Sequence, residues 1–243
     1  MCGRFVRDCS IPDIAEEFGV EEPRFDQPPS YNIAPGQSIP VIIKNGKKKL
    51  VSCKWGFIPS WAKDPKAGYS MINARAETVA EKPAFRSAYK NARALVPASG
   101  FYEWKKEGSE KAPFYIRLKA RNHFAFAGLY NIWTSPGGEQ ICTCTIITTE
   151  ANQLLVPVHD RMPVIIRKGD EDRWLAPPDP KNDLRSLLTP YESEDMECYS
   201  VSRLVNSPAN NSPECIRRVR AAAGENISGK ARKWGSGEGR EKM

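Results

Sequence analysis

The stretch SIPVIIKNGKKKLVSCKWGF, residues 38–57, limits the fold of this chain more than any other. Two apolar runs flank Asn45-Gly46, a pair that closes a tight antiparallel hairpin. A hairpin of that length must bury one face, so it requires further strands. The sequence offers them as short segments near 2–7, 71–75, 93–97, 100–105, 113–119, 123–132, 139–147, 162–166 and 196–201. Helical patterns are brief: IPDIAEEF between a Ser10 cap and a Gly19 stop, then segments near 83–91, 150–155, 170–176 and 181–188. Residues 20–36, with Pro23, Pro28, Pro29 and Pro35, read as irregular, and residues 57–70 as a loop carrying Trp61. Strands in the majority with scattered helices predict an α+β fold. It is expected as a single domain around a curved, mostly antiparallel, barrel-like sheet with short peripheral helices. That domain is expected to span residues 1–219. Residues 220–243, rich in Gly, Lys and Arg with little to bury, are expected to form a basic, disordered tail.

Other classes are excluded by pattern. There is no run of about eighteen apolar residues and no charged segment leading into an apolar one, so no membrane partner and a cytoplasmic location are expected. Seven cysteines at 2, 9, 53, 142, 144, 198 and 215, without a C-x-x-C, predict free thiols in a reducing compartment. Cys142 and Cys144 then read as small core residues, and no metal is expected. No Gly-rich phosphate loop of Walker or Rossmann spacing occurs, and no cofactor is expected. The net charge of +7 is concentrated: residues 71–123 carry +6 and residues 216–243 carry +5. The first tract is interleaved with apolar residues and must fold, so a folded basic surface suited to a polyanion is expected.

The first five residues, MCGRF, place a cysteine where an initiator methionine is commonly removed. Its removal would leave a 1,2-aminothiol, with reference pKa values of about 7.7–8.0 for the amine and about 8.5 for the thiol. Such a terminus condenses with an aldehyde to an imine, which the sulfur then closes to a thiazolidine. Three segments repeat one spacing: Cys2 with Arg4, Asn73 with Arg75, and His159 with Arg161. On an extended strand such residues share a face, about 6.6 Å apart. Each segment would then set a reactive or hydrogen-bonding group beside a guanidinium suited to a phosphate. Glu103, between Phe101 and Trp104, reads as a carboxylate drawn into an apolar setting for acid–base work, or else as a surface ion pair with Lys105 or Lys106. His123 reads as a strand-end residue. His159, beside Asp160-Arg161, is the candidate catalytic histidine. Trp61 could stack on an exposed base or serve as a core anchor.

The motifs MCGRF, YNIAPGQ, WGFIPSWAKDP, INARAET, FYEW, HDRMPVII and VNSPANNSPECI stand in the order of the SRAP family, the SOS-response-associated peptidases. The chain resembles that family over roughly residues 2–219. The resemblance implies a sensor of abasic sites in single-stranded DNA that crosslinks to the ring-opened sugar. It implies Cys2 as nucleophile, Asn73 as its orienting group, and Glu103 and His159 as an acid–base pair. Arg4, Arg75, Arg86 and Arg161 would contact DNA, with Trp61 as a wedge. It also implies a peptidase that removes whatever precedes the cysteine, and lyase-type activity. Because Met1 alone precedes Cys2, an ordinary aminopeptidase would suffice and the peptidase activity is expected to be vestigial. A monomer, associated with the nucleoid when bound to DNA, is expected. Two other classes remain open at this stage. One is an N-terminal-nucleophile amidohydrolase of the glutamine amidotransferase type, and the other is a non-catalytic single-strand binder in which Cys2 is incidental.

Overall fold

The computed structural model describes residues 2–21, 25–177, 179 and 183–219. The expected tail at 220–243 lies outside them. The strands are β1 (Phe5–Arg7), β2 (Ser30–Ile33), β3 (Ser38–Asn45), β4 (Lys47–Trp55), β5 (Asn73–Arg75), β6 (Arg93–Ala98) and β7 (Gly100–Glu107). They continue with β8 (Glu110–Leu118), β9 (Phe124–Thr134), β10 (Gln140–Glu150), β11 (Arg161–Pro163), β12 (Ile165–Ile166) and β13 (Met196–Ser200). The helices are α1 (Ile11–Phe18), α2 (Arg86–Asn91) and α3 (Glu171–Leu175).

The expected α+β class holds, and its strands divide into two sheets. The hairpin β3–β4 turns at Gly46, with Asn45 opposite Lys47. It lies within the larger sheet, where β10 neighbours β4, β4 neighbours β3, β3 neighbours β6, and β6 neighbours β9. Because β9 also pairs with β10 from Gln140↔Thr134 to Ile146↔Gly128, that path returns to its start and closes a barrel. Closure leaves these strands no free edge. The second sheet has five strands in the order β13-β8-β7-β1-β2.

The N-terminal segment is anchored between the two sheets. Phe5 meets Trp55 of the barrel edge-on at 5.2 Å and Phe126 at 5.8 Å, while Phe101 of β7 meets Phe126 at 6.0 Å. These rings, with Cys2, Val96, Cys144 and Ile146, belong to one buried cluster. Edge-to-face aromatic pairs add about 0.5–1.5 kcal/mol each beyond the area they bury, so the terminus is held where chain ends otherwise fray. Arg7, fully buried, extends the anchor by donating to the carbonyls of Cys9, Gln27 and Pro28.

β7 approaches β8 closely at Gly100, where a Cβ would lie 2.4 Å from the Tyr115 hydroxyl and 2.6 Å from the Ile116 carbonyl oxygen. Gly100→Ala is therefore expected to cost about 1–3 kcal/mol. Its urea midpoint should fall; an unchanged midpoint would contradict this packing.

Several elements differ from the sequence expectation. The first strand is only β1: the Cys2 carbonyl is taken by the Asn73 side chain, and backbone pairing with β7 starts at the Arg4 carbonyl, which accepts from the Tyr102 amide at 2.9 Å. The irregular stretch 20–36 contains β2, recruited by β1. No helix forms at 150–155. Asn152 instead caps a series of turns, accepting from the Leu155 amide at 3.1 Å and donating to the Tyr191 carbonyl at 2.7 Å. Residues 153–158 stay as turns, and Pro157 has no backbone N–H to extend them into a helix. Near 181–188 the described residues form only a 3-10 turn, Leu184–Leu187, capped by Asp183. α1 matches its reading, with a Ser10–Asp13 capping box and a left-handed Gly19.

The expectation of free thiols throughout is corrected at one place, where Cys53 and Cys142 form a disulfide across 89 residues. The parallel pairing of β4 with β10, Thr143 opposite Lys54, places them side by side, and sequence spacing gave no sign of it. Cys144 is buried, as read.

Candidate active site

Cys2 is fully buried, and its carbonyl accepts a hydrogen bond from Asn73 Nδ2 at 2.8 Å. Asn73 reaches it from β5, which is laid parallel against β10 with Asn73 opposite Ile146. The Asn73 Oδ1 atom is itself buried and has no hydrogen-bond partner among the described residues. A buried acceptor without a donor carries a desolvation penalty, so this oxygen is suited to an N–H arriving beside Cys2. Burial, and next to it the negative charge of Glu103, pushes the Cys2 thiol well above the ordinary range. The sulfur therefore stays protonated until a base removes its proton. The reference thiol value of the sequence reading therefore does not apply at this buried position.

Glu103 is that candidate base. It stands on β7 opposite Phe114 of β8, 3% exposed, in the apolar setting read from its aromatic neighbours. The surface pair with Lys105 does not form; Lys105 lies 3.4 Å from Glu107 instead. Burial pushes the Glu103 carboxyl up to about 7. Near neutrality it therefore exists in both protonation states, as a group that gives and takes protons must. His159 Nε2 lies 4.0 Å from Glu103 Oε2, and burial lowers the His159 pKa.

These groups border an open cleft of about 510 Å³ whose lining includes Gly3, Arg4, Glu103, Trp104, Lys111, His159 and Asn206. Arg4 forms one wall: its Nη1 donates to Asn32 Oδ1 and to the Val205 carbonyl, each at 2.7 Å, and its guanidinium lies 5.6 Å from the Trp104 ring. Asn32 was absent from the sequence candidates. Its buried amide donates to the carbonyls of Val205, Ser207 and Asn210, tying the VNSPANNSPECI segment to β2. It stands within the YNIAPGQ motif, so a signal was present, but its partners lie more than 170 residues away. Trp104 Nε1 donates to Asn206 Oδ1 at 2.8 Å on the same wall.

The predicted residues do not all converge. Cys2, Asn73, Arg4, Glu103 and His159 gather through the contacts above. Arg161 does not line the cleft; it makes a two-pronged pair with Glu77 at 2.7 and 3.0 Å and donates to the Thr148 carbonyl at 2.6 Å. Arg75 is exposed at the end of β5 and Arg86 opens α2, where with Tyr89 and Lys90 it lines a separate hollow. Trp61 is 65% exposed and is not a core anchor. Its loop is pinned by Asn131 Nδ2 on the Ile58 carbonyl and Trp133 Nε1 on the Ala62 carbonyl, both at 2.7 Å. The loop's neck closes where Gly56 and Gly68 meet, each leaving under 3 Å for a Cβ against the other's carbonyl oxygen.

The shared-face argument applies to one pair alone. Asn73 and Arg75 sit on a strand, whereas Cys2 and Arg4 precede β1 and His159 lies in the turn before β11. Among the described residues no three His, Cys, Asp or Glu side chains gather as a metal site would require, and no helix is long and apolar enough to cross a membrane.

Comparison with known proteins places this arrangement. The chain is 52% identical over 221 residues to the abasic site processing protein YoqW of Bacillus subtilis, an alignment covering 89% of this chain and 99% of that one. It is 34% identical to the abasic site processing protein HMCES of Xenopus tropicalis, over 79% of this chain and 66% of that one. A crystal structure of a protein from Bacteroides thetaiotaomicron superposes with a TM-score of 0.80 at 29% identity, covering 90% of this chain and all of that one. The family described as SOS response associated peptidase (SRAP) matches residues 1–208. From its opening cysteine to the asparagine-rich segment that walls the cleft, the chain belongs to the SRAP family.

Proposed function

We propose that this protein processes abasic sites in single-stranded DNA by bonding covalently to the opened sugar through Cys2, once Met1 has been removed. The observation that carries the reading is the setting of Cys2. It is buried, held through its carbonyl by Asn73, and flanked by a raised-pKa carboxyl and a histidine at an open cleft. A cysteine with only a structural role has no need of an acid–base pair beside it.

The chemistry balances as follows. An abasic deoxyribose interconverts between a cyclic hemiacetal and an open aldehyde, and His159 moves the proton that opens the ring. The Cys2 amine adds to C1′, and loss of water gives an imine. The thiol then adds across the carbon–nitrogen double bond: sulfur bonds to C1′ and its proton passes, by way of Glu103, to nitrogen. The product is a five-membered thiazolidine and one water. Asn73 restrains the terminus, so both bonds form within one preorganised unit, where effective molarity supplies much of the rate. Arg4, Arg75, Arg86 and Arg161 are proposed to hold phosphates and Trp61 to stack on a base. For Arg161 this requires release from Glu77. The folded basic tract supports a backbone-dominated, salt-sensitive encounter, with a bound product that salt does not release.

Intact-mass spectrometry of the protein after incubation with abasic single-stranded DNA tests this reading. The expected result is loss of Met1 and a denaturant-resistant adduct with the mass of protein plus DNA minus one water. An unmodified oligonucleotide should yield none. Binding without an adduct would favour a non-catalytic binder, and ammonia release from glutamine an amidohydrolase; either would reject the proposal.

A further inference from the structure

His159 Nδ1 has two partners that exclude one another. The backbone N–H of Arg161 lies 3.0 Å from it and can only donate, which requires a bare nitrogen. The carboxylate of Asp160 lies 2.8 Å from it and can only accept, which requires a proton there. The ring can exchange these partners without moving, and the choice decides the state of Nε2, which is turned toward Glu103. With Nδ1 bare, the neutral ring carries its proton on Nε2 and cannot act there as a base. With a proton on Nδ1, Nε2 is bare in the neutral ring and can take up a proton and return it.

We propose that Asp160 is a positioning residue that selects the Nδ1–H form of His159, leaving Nε2 as the working nitrogen. A charge-assisted contact is roughly twice as strong as a neutral one and shorter, which favours Asp160 over the Arg161 amide. The Asp160 side chain is 86% exposed, so solvent limits its effect to a bias between two forms. Other charged groups bear on the ring: Glu103 from β7, Lys111 from β8, Arg4 from the segment before β1 and the N-terminal amine. Asp160 is distinguished from them by its contact with Nδ1. The kinetic consequence rests on the function proposed above; the tautomer assignment does not.

Nitrogen-15 correlation spectra of the whole protein across pH test this directly, because the chain has only two histidines. A His123→Gln variant assigns the signals. Wild-type neutral His159 should report Nδ1–H. In Asp160→Ala the neutral ring should switch to Nε2–H and its titration midpoint should fall. In Asp160→Asn the amide oxygen still accepts, so the tautomer should persist while the midpoint falls with the lost charge. Both substitutions lie on an exposed side chain, and melting temperature should not change. Crosslinking to abasic single-stranded DNA should slow about tenfold in Asp160→Ala, with its pH profile displaced to lower pH. An unchanged tautomer and midpoint in Asp160→Ala would overturn the assignment, and a switched tautomer with an unchanged rate profile would overturn its role in the reaction. Should wild type form no adduct, the proposed function fails and the spectra alone decide on Asp160.

Discussion

Cys2→Ser and Cys2→Ala are expected to lower formation of the denaturant-resistant adduct with abasic single-stranded DNA by at least about 10³-fold, with noncovalent binding retained. The amine survives in both variants, so a reversible imine can still form. What is lost is the second bond, which converts an easily hydrolysed linkage into a ring, and with it the advantage of intramolecular closure. The two variants separate chemistry from folding. Cys2 is fully buried in an apolar cluster, so serine places an extra hydroxyl there at about 1–3 kcal/mol, whereas alanine removes only the sulfur. If both lose the adduct while Cys2→Ala melts within a few degrees of wild type, the loss is chemical. Serine serving as well as cysteine in denaturing gels would reject the thiazolidine.

Glu103→Gln is expected to slow crosslinking by about 10²–10³-fold and, in the same protein, to raise stability at alkaline pH. The signs follow from one fact: the carboxyl, ordinarily near 4.5, is pushed up to about 7 by burial. The folded state holds this proton more tightly than the unfolded state does. Its contribution to stability is therefore complete below about pH 4.5 and is lost as pH rises through about 7. The gap corresponds to about 3 kcal/mol as an upper figure. Glutamine keeps the shape and never ionises, so the variant should match wild type near pH 4 and exceed it near pH 8. Parallel thermal melts at the two pH values read this difference. A variant that lost activity and was also less stable at pH 8 would mark Glu103 as structural.

Much of the scaffold was legible in local sequence. Ser10 and Gly19 bound α1, and Asn45-Gly46 turns the longest hairpin, because caps and turns depend on residues a few positions apart. The site was legible as residue types: an opening cysteine, a carboxylate among aromatics, a histidine beside charged neighbours. What could not be read was their company. Asn32, which bonds Arg4 and fixes the loop walling the cleft, looks like any polar residue near prolines. Arg161 gave no hint that Glu77 would take its guanidinium. Cys53 and Cys142 pair only because β10 lies parallel to β4.

By itself, then, the sequence determined that the chain is a strand-rich α+β domain and singled out Cys2 as the candidate nucleophile, since both depend on short-range pattern and intrinsic reactivity. The tertiary structure alone decided that the barrel closes, that the N-terminal segment is fastened into its flank, and that Glu103 lies deep enough for its carboxyl to be pushed up to about 7. Proton affinity depends on how much water and charge surround a group, and those surroundings come from residues distant in the chain.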